Sequence, residues 1–230
     1  MSLDFLTPAG SDRAAARSPL ADAAAAAGAR TEVRDGWEVA TSFGDPAGEG
    51  AACRESVGFA DLSHLAKVEL QGPAGALDAA LGGATLGTAA RAHDGWRCRV
   101  RPDRGLALGA LAAGAAAGAG VRALDVTAAW GALAIAGPQA RELFARFCAL
   151  DLRESALAVR GFRPGSVART PGYVLREGPE RFLMLFGAAY GAYLWEVVAD
   201  AVAALGGRPV GLDALPALSS VDGGREAARA

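Results

Sequence analysis

Lys67-Val68-Glu69-Leu70-Gln71-Gly72-Pro73-Ala74-Gly75-Ala76-Leu77 and Ala132-Leu133-Ala134-Ile135-Ala136-Gly137-Pro138-Gln139-Ala140-Arg141-Glu142-Leu143 are two copies of one cassette. Each reads as a strand, a Gly-Pro corner and then a helix. Glycine permits the sharp change of direction. Proline suits the first helical turn, because its fixed φ fits there and its missing N–H would be unpaired anyway. The corners at Gly72 and Gly137 lie about 65 residues apart. That repetition predicts a pseudo-symmetric pair of α+β half-domains with a cleft between them, a natural place for a ligand.

A chain of 230 residues can bury a substantial core. With 52% apolar and 21% charged residues it reads as an ordinary globular protein, and a formal net charge of −2 gives no reason to expect nucleic acid or an anionic membrane as partner. Lys67 is the single lysine beside 22 arginines. Cys53, Cys98 and Cys148 are odd in number and scattered, with neither a disulfide framework nor metal-ligand spacing. Asp4, Asp12 and Arg13 surround a short Leu3-Phe5-Leu6 patch, which is no signal peptide. The longest membrane-span candidate, 105–120, is too short to cross a bilayer and is broken by glycines. These features predict a reduced, cytoplasmic protein.

Working outward from the first cassette, Gly95-Trp96-Arg97-Cys98-Arg99-Val100-Arg101 alternates as a half-buried strand does. Trp96, Cys98 and Val100 fall on one face, and three arginines fall on the other. The arginine face is expected to be solvated or salt-bridged, or else to dock an acidic partner or the carboxylate tail of a ligand. Residues 121–127 form a further strand candidate. The 114–120 run, rich in alanine and glycine, reads as a turn, not a dinucleotide loop, because it leads into a strand. Ala140, Leu143, Phe144 and Phe147 make a helical stripe, and residues 181–186 read as a strand covered on both faces. Residues 190–205 form the strongest amphipathic helix, with Tyr190 and Tyr193 on its apolar side. Upstream, Ser18 is the expected N-cap of a helix with Pro19 in its first turn and Gly28 at its end. An extended segment follows at 37–43 and a short helix at 47–57. Residues 1–17 read as a flexible leader and 219–230 as a disordered tail.

With these residues in view the chain resembles the glycine cleavage T-protein family, the folate-binding aminomethyltransferases. The stretch ending Asp35-Gly36-Trp37-Glu38 looks like that family's Gly-Trp-Glu strand entry. Cys53-Arg54-Glu55 through Gly58-Phe59-Ala60-Asp61-Leu62-Ser63-His64-Leu65 looks like its Arg-Glu…Gly-Leu-Phe-Asp-Val-Ser-His-Met signature. The second cassette matches its Leu-x-Gly-Pro motif, and residues 206–215 resemble the approach to its last folate motif. The resemblance covers about 18–222. It implies a folate-binding fold of two ferredoxin-like halves, about 18–128 and 129–218, with mainly antiparallel sheet and without the C-terminal β-barrel. The shortened middle is similar to the gamma subunit of heterotetrameric sarcosine oxidases, which implies flavoprotein partner subunits and tetrahydrofolate as the possible cofactor.

The departures bear on catalysis. Where the family carries Gly-Gly-Ile-Leu-Asp-Asp, this chain has Arg104-Gly105-Leu106-Ala107-Leu108-Gly109, with no carboxylate. The family's Gly-Tyr-Thr-Gly-Glu becomes Gly172-Tyr173-Val174-Leu175-Arg176, and Glu177 substitutes only after a one-residue slip. Its final Arg-Leu-Glu falls on Ser219-Ser220-Val221. No catalytic residue is therefore assigned. The resemblance assigns Glu38, Leu65, Tyr173 and Glu177 to folate contact, Glu38 because an acid beside Trp37 can accept from a pterin's amidine-like edge. Asp61 is expected to pin a turn beside Ser63, His64 to be structural, Cys148 to pack in the core and His93 to lie in a loop. The reading is a catalytically reduced folate-fold subunit of a methylated-amine oxidising complex. The alternative is a tetrahydrofolate-dependent aminomethyltransferase or demethylase.

Overall fold

The computed structural model describes residues 16–92, 95–109 and 120–215. The expected leader (apart from Ala16 and Arg17), the tail, His93, Ser219-Ser220-Val221 and nearly all of the 114–120 run lie outside the described residues. The described chain begins with β1 (Ala16–Arg17), α1 (Ala21–Ala26), β2 (Arg30–Arg34), β3 (Trp37–Ser42), α2 (Pro46–Glu55) and β4 (Gly58–Asp61). The first cassette follows as β5 (Lys67–Gln71) and α3 (Ala74–Ala80), then β6 (Ala89–Ala92), β7 (Gly95–Arg101), β8 (Arg104–Gly109) and β9 (Arg122–Asp125). The second cassette is β10 (Trp130–Ala136) and α4 (Ala140–Ala145). It leads to β11 (Phe162–Val167), β12 (Thr170–Gly178), β13 (Arg181–Gly187), α5 (Gly191–Ala203) and β14 (Arg208–Pro209). The fold is α+β with mainly antiparallel sheet, as expected. Three sheets form in the orders β1-β3-β2, β11-β12-β13-β10-β4-β14 and β6-β7-β8-β5-β9, and β1–β3 and β14–β4 are the parallel pairs.

Alternation along the strands explains the layers. On β10 and β13, Leu133, Ile135, Phe182, Met184 and Phe186 face the helices, packing with Leu20, Phe144, Leu194, Trp195 and Val198. Their neighbours Ala132, Ala134, Leu183 and Leu185 face the five-stranded sheet, against Trp96, Cys98, Leu106 and Leu108. That is why residues 181–186 are apolar on both faces. The far side of the five-stranded sheet carries Leu70 and Ala107 under Leu77 and Leu81 beside α3. The order is helices, six-stranded sheet, five-stranded sheet, helix.

The two corners use glycine differently. A Cβ at Gly72 would come within 2.6 Å of the Gly120 carbonyl. Gly137 has φ 135°, closed to other residues, and a Cβ there would collide with the Ser56 carbonyl. Proline sits earlier than the sequence predicts. Pro73 is the extended residue preceding α3, with ψ 146°, and Pro138 lies two residues before α4. Likewise α1 starts at Ala21, with Ser18 Oγ accepting from Leu20 N at 3.0 Å, so Ser18 shapes the entry without capping the helix. Gly28 ends it at φ 87°.

Of two expectations about faces, one is met and one is corrected. Arg99 and Arg101 of β7 are salt-bridged as expected, and the end of the α3 region covers Arg97 and Arg99. Arg97 Nη1 donates to Ala80 O (2.9 Å), and buried Arg99 binds Asp78 (2.6 Å) and the Arg101 and Pro102 carbonyls. A register shift between Arg99 and Arg101 leaves Arg101 exposed beside Asp103. On α5, Tyr190 and Tyr193 are exposed, because the buried stripe is Leu194, Trp195, Val198 and Val202. Glu49, buried on α2, ties distant segments: its carboxylate accepts from Ser42 Oγ, Phe43 N, Asp45 N and Gly211 N. Burial alone would raise its pKa, but these hydrogen bonds outweigh it and hold the carboxyl below its ordinary range.

Candidate functional site

The loop between β4 and β5 is fastened by its own side chains. Asp61 Oδ1 accepts from Ser63 N at 2.8 Å, the expected turn-pinning role, and Ser63 Oγ accepts from Ala132 N at 3.1 Å. Lys67 has no exposed surface. Its Nζ donates to the carbonyls of Ser63 (2.9 Å) and Leu65 (2.8 Å), closing the loop as a strut. Burial pushes its pKa from 10.5 down to about 8, against the opposing pull of Asp61 and Asp125.

That loop presents His64 and Leu65 to a groove of about 960 Å³, whose other walls include Asp35, Trp37, Gly109 and Asp125. Asp35 and Gly36 both have positive φ (50° and 77°), the two-residue hairpin conformation that Asp-Gly favours, and so Trp37 is aimed from a tight turn. Asp125 Oδ1 accepts from Thr127 N at 2.8 Å, and Thr127 Oγ1 accepts from Lys67 N at 2.9 Å. The walls are therefore held in place by hydrogen bonds. Burial is the largest influence on His64 and lowers its pKa, which leaves the imidazole neutral at pH 7.

The other assigned residues lie elsewhere. Tyr173, Leu175 and Glu177 alternate on β12. Tyr173 stacks on Phe162 with ring centroids 5.2 Å apart and packs against Trp130 at 5.1 Å, and Tyr173 and Leu175 belong to the layer between the two larger sheets. Alternation puts Glu177 on the same side as Tyr173 and Leu175, just before a register shift between Arg176 and Gly178. The acid is then inside, but both oxygens are engaged, Oε1 by Trp96 Nε1 (2.8 Å) and Oε2 by Arg181 Nε (3.0 Å). Arg176 lies over the Phe182 ring on the opposite face of β12 and donates to the Leu157, Gly178 and Pro179 carbonyls. Glu38 accepts from Arg17 Nε at 2.7 Å and from Thr31 Oγ1, within the three-stranded sheet. Leu108 and Gly109 end the stretch that matches the family's two aspartates. Leu108 is fully buried between the sheets, and Gly109, also buried, borders the groove.

Of the four assigned residues, Leu65 alone lines the groove. The sequence reading overlooked Asp35, Asp125 and the Lys67 strut. A lone lysine among 22 arginines was the visible signal for the last. Cys148 is half-buried, packs beside the helical core and points Sγ at the Ser166 carbonyl (3.5 Å). Among the described residues no cluster of three or more His, Cys, Asp or Glu is placed to hold a metal, and no helix is long and apolar enough to cross a membrane.

Comparison with known proteins adds to this. Residues 107–220 match the family described as the GCVT N-terminal domain. An aminomethyltransferase from Bordetella petrii is 42% identical over 57 residues, which is 25% of this chain and 16% of that protein. The glycine cleavage system aminomethyltransferase T from Bartonella henselae shares the fold with a TM-score of 0.68 at 19% identity, over 86% of this chain and 60% of that one. The heterotetrameric sarcosine oxidase from Corynebacterium sp. U-96 contains a chain with a TM-score of 0.63 at 22% identity, over 83% of this chain and 96% of that one. The chain thus spans less than two thirds of the aminomethyltransferases it matches and nearly all of the sarcosine oxidase chain. The resemblance read from the sequence holds at the level these findings reach: residues 107–220 match the GCVT N-terminal domain, and the chain has the fold of a glycine cleavage T-protein.

Proposed function

We propose that the chain is a catalytically reduced, T-protein-like subunit of a complex that oxidises methylated amines, in the manner of a sarcosine oxidase gamma subunit. The observation that carries this reading is the fate of the family's acids. Leu108 packs between the sheets where a carboxylate is expected, and the displaced Glu177 has both oxygens taken by Trp96 and Arg181. A pterin's amidine-like edge needs a carboxylate with free acceptor sites, and a cationic iminium-like intermediate needs a nearby negative charge. These residues do not fit that role, so no step through tetrahydrofolate is assigned to this chain. The near-complete overlap with the sarcosine oxidase chain supports the same reading. Folate capture would then rest mainly on another subunit, and flavoprotein subunits are the expected partners.

The 57-residue stretch at 42% identity favours a second reading, a tetrahydrofolate-dependent aminomethyltransferase or demethylase. Two measurements separate them. Affinity purification from the native source should bring down a flavin-containing partner in fixed stoichiometry, and calorimetric titration of the isolated chain with tetrahydrofolate should show no saturable heat. Stoichiometric folate binding by a chain that purifies alone would transfer the assignment to the enzyme.

A further inference from the structure

The groove at Trp37 is not accounted for by the family's acids, and its chemistry is distinct. Among its described lining residues the formal charges are two carboxylates, Asp35 and Asp125, both exposed. The cations nearby are already engaged. Lys67 is buried against the Ser63 and Leu65 carbonyls, and Arg34 pairs with Glu32 (3.0 Å) and Asp213 (2.9 Å). His64 contributes no charge at neutral pH. Beside the carboxylates stand an indole, Trp37, and the apolar side chain of Leu65.

An anionic rim around aromatic and aliphatic walls complements an arginine or lysine side chain, whose methylene stem packs on apolar surface while its head meets a carboxylate or an aromatic face. At about 960 Å³ the groove exceeds one such side chain, and its acids come from separate elements, the β2–β3 hairpin and the end of β9. Two cationic side chains on one segment satisfy both. The walls are fixed beforehand by Lys67, Thr127 and the Asp35-Gly36 turn, so a ligand meets little ordering cost in this chain.

We propose that this groove docks a basic segment, bearing two arginines or lysines, of the partner subunit. The inference deepens the subunit reading, since it needs a partner chain. Its test is separate, because it uses the purified full-length chain and neither folate nor flavoprotein. The probe is the capped peptide Leu-Arg-Leu-Arg, followed by calorimetry and tryptophan fluorescence at low salt. Saturable binding is expected, weakened about tenfold in Asp35→Asn/Asp125→Asn, since two partly exposed charge pairs are removed. Asparagine suits both sites: it tolerates the positive φ at position 35 and can still accept the Thr127 N–H at position 125. Trp37→Leu should weaken binding several-fold at unchanged melting temperature. Failure of the wild-type chain to bind the peptide overturns the proposal. So does equal binding of Leu-Gln-Leu-Gln, or unchanged affinity in the double variant. Competition by tetramethylammonium at the peptide's own concentration would instead mark a small-cation site and overturn the docking role. A chain that binds the peptide yet turns over a methylated amine with tetrahydrofolate keeps the groove and refutes the subunit reading.

Discussion

The layer between the five- and six-stranded sheets and the groove at Trp37 lie on either side of the β8 terminus, and they differ in every respect that matters for a ligand. Between the sheets, Leu108, Trp96, Tyr173 and Phe162 belong to one hydrophobic cluster, and the acid that reaches this layer, Glu177, is bonded by the protein itself. At the groove, carboxylates face solvent and the scaffold behind them is fastened by Lys67. Leu108 and Gly109 are adjacent, yet the Leu108 side chain packs between the sheets while the bare backbone of Gly109 borders the groove. Family motifs fall on both: Tyr173 and Glu177 in or beside the packed layer, Leu65 and Gly109 on the groove. Inherited fold and available chemistry have come apart within one strand.

The sharpest way to break this contrast is Leu108→Asp, which returns a carboxylate to its family position. In a packed layer an unpaired charge should lower stability by about 4 kcal/mol or more, read as a fall in the urea midpoint. A variant with the wild-type midpoint and new affinity for tetrahydrofolate would show that the layer is a cavity.

On the groove side the corresponding test is the strut. Lys67 has a folded pKa of about 8 against 10.5 when free. Between those values the unfolded chain holds more protons, so stability rises with pH from 8 to 10.5, by on the order of 3 kcal/mol, and is flat for this group below 8. Urea midpoints at pH 7 and pH 10 for the wild type and Lys67→Met should diverge by that rise. Parallel pH dependence in the two proteins would mean that the ammonium is not buried.

Glu177→Gln sharpens the comparison further. The amide can still accept from Trp96 Nε1 but loses the charged bond to Arg181, for an expected cost of about 2 kcal/mol. No loss of stability would make Glu177 a free ligand group and not a structural tie. The smallest effect belongs to Asp35→Asn and Asp125→Asn, which should each stay within about 0.5 kcal/mol of wild type because both side chains are exposed. A larger loss would turn the groove acids into structural elements.

Local pattern made much of the architecture legible. Both cassettes became a strand and a helix, residues 181–186 became a strand covered on both faces, and Asp61 pins the turn beside Ser63. These depend on side-chain alternation and turn chemistry, which act over a few residues. The candidate site was less legible. Glu38, Tyr173 and Glu177 were assigned by motif position, but their accessibility depends on Arg17, Phe162, Trp96 and Arg181, up to 81 residues away in the chain.

The sequence by itself determined the strand and helix pattern, the Gly-Pro corners and the loss of the family's carboxylates, because those are properties of residue order and identity. Tertiary structure alone decided which side chains remain available. Packing two sheets face to face closed the layer around Leu108, and burying one ammonium beneath a loop shaped the groove beside it. Desolvation and hydrogen-bond partners are set by neighbours in space, and residue order does not name them.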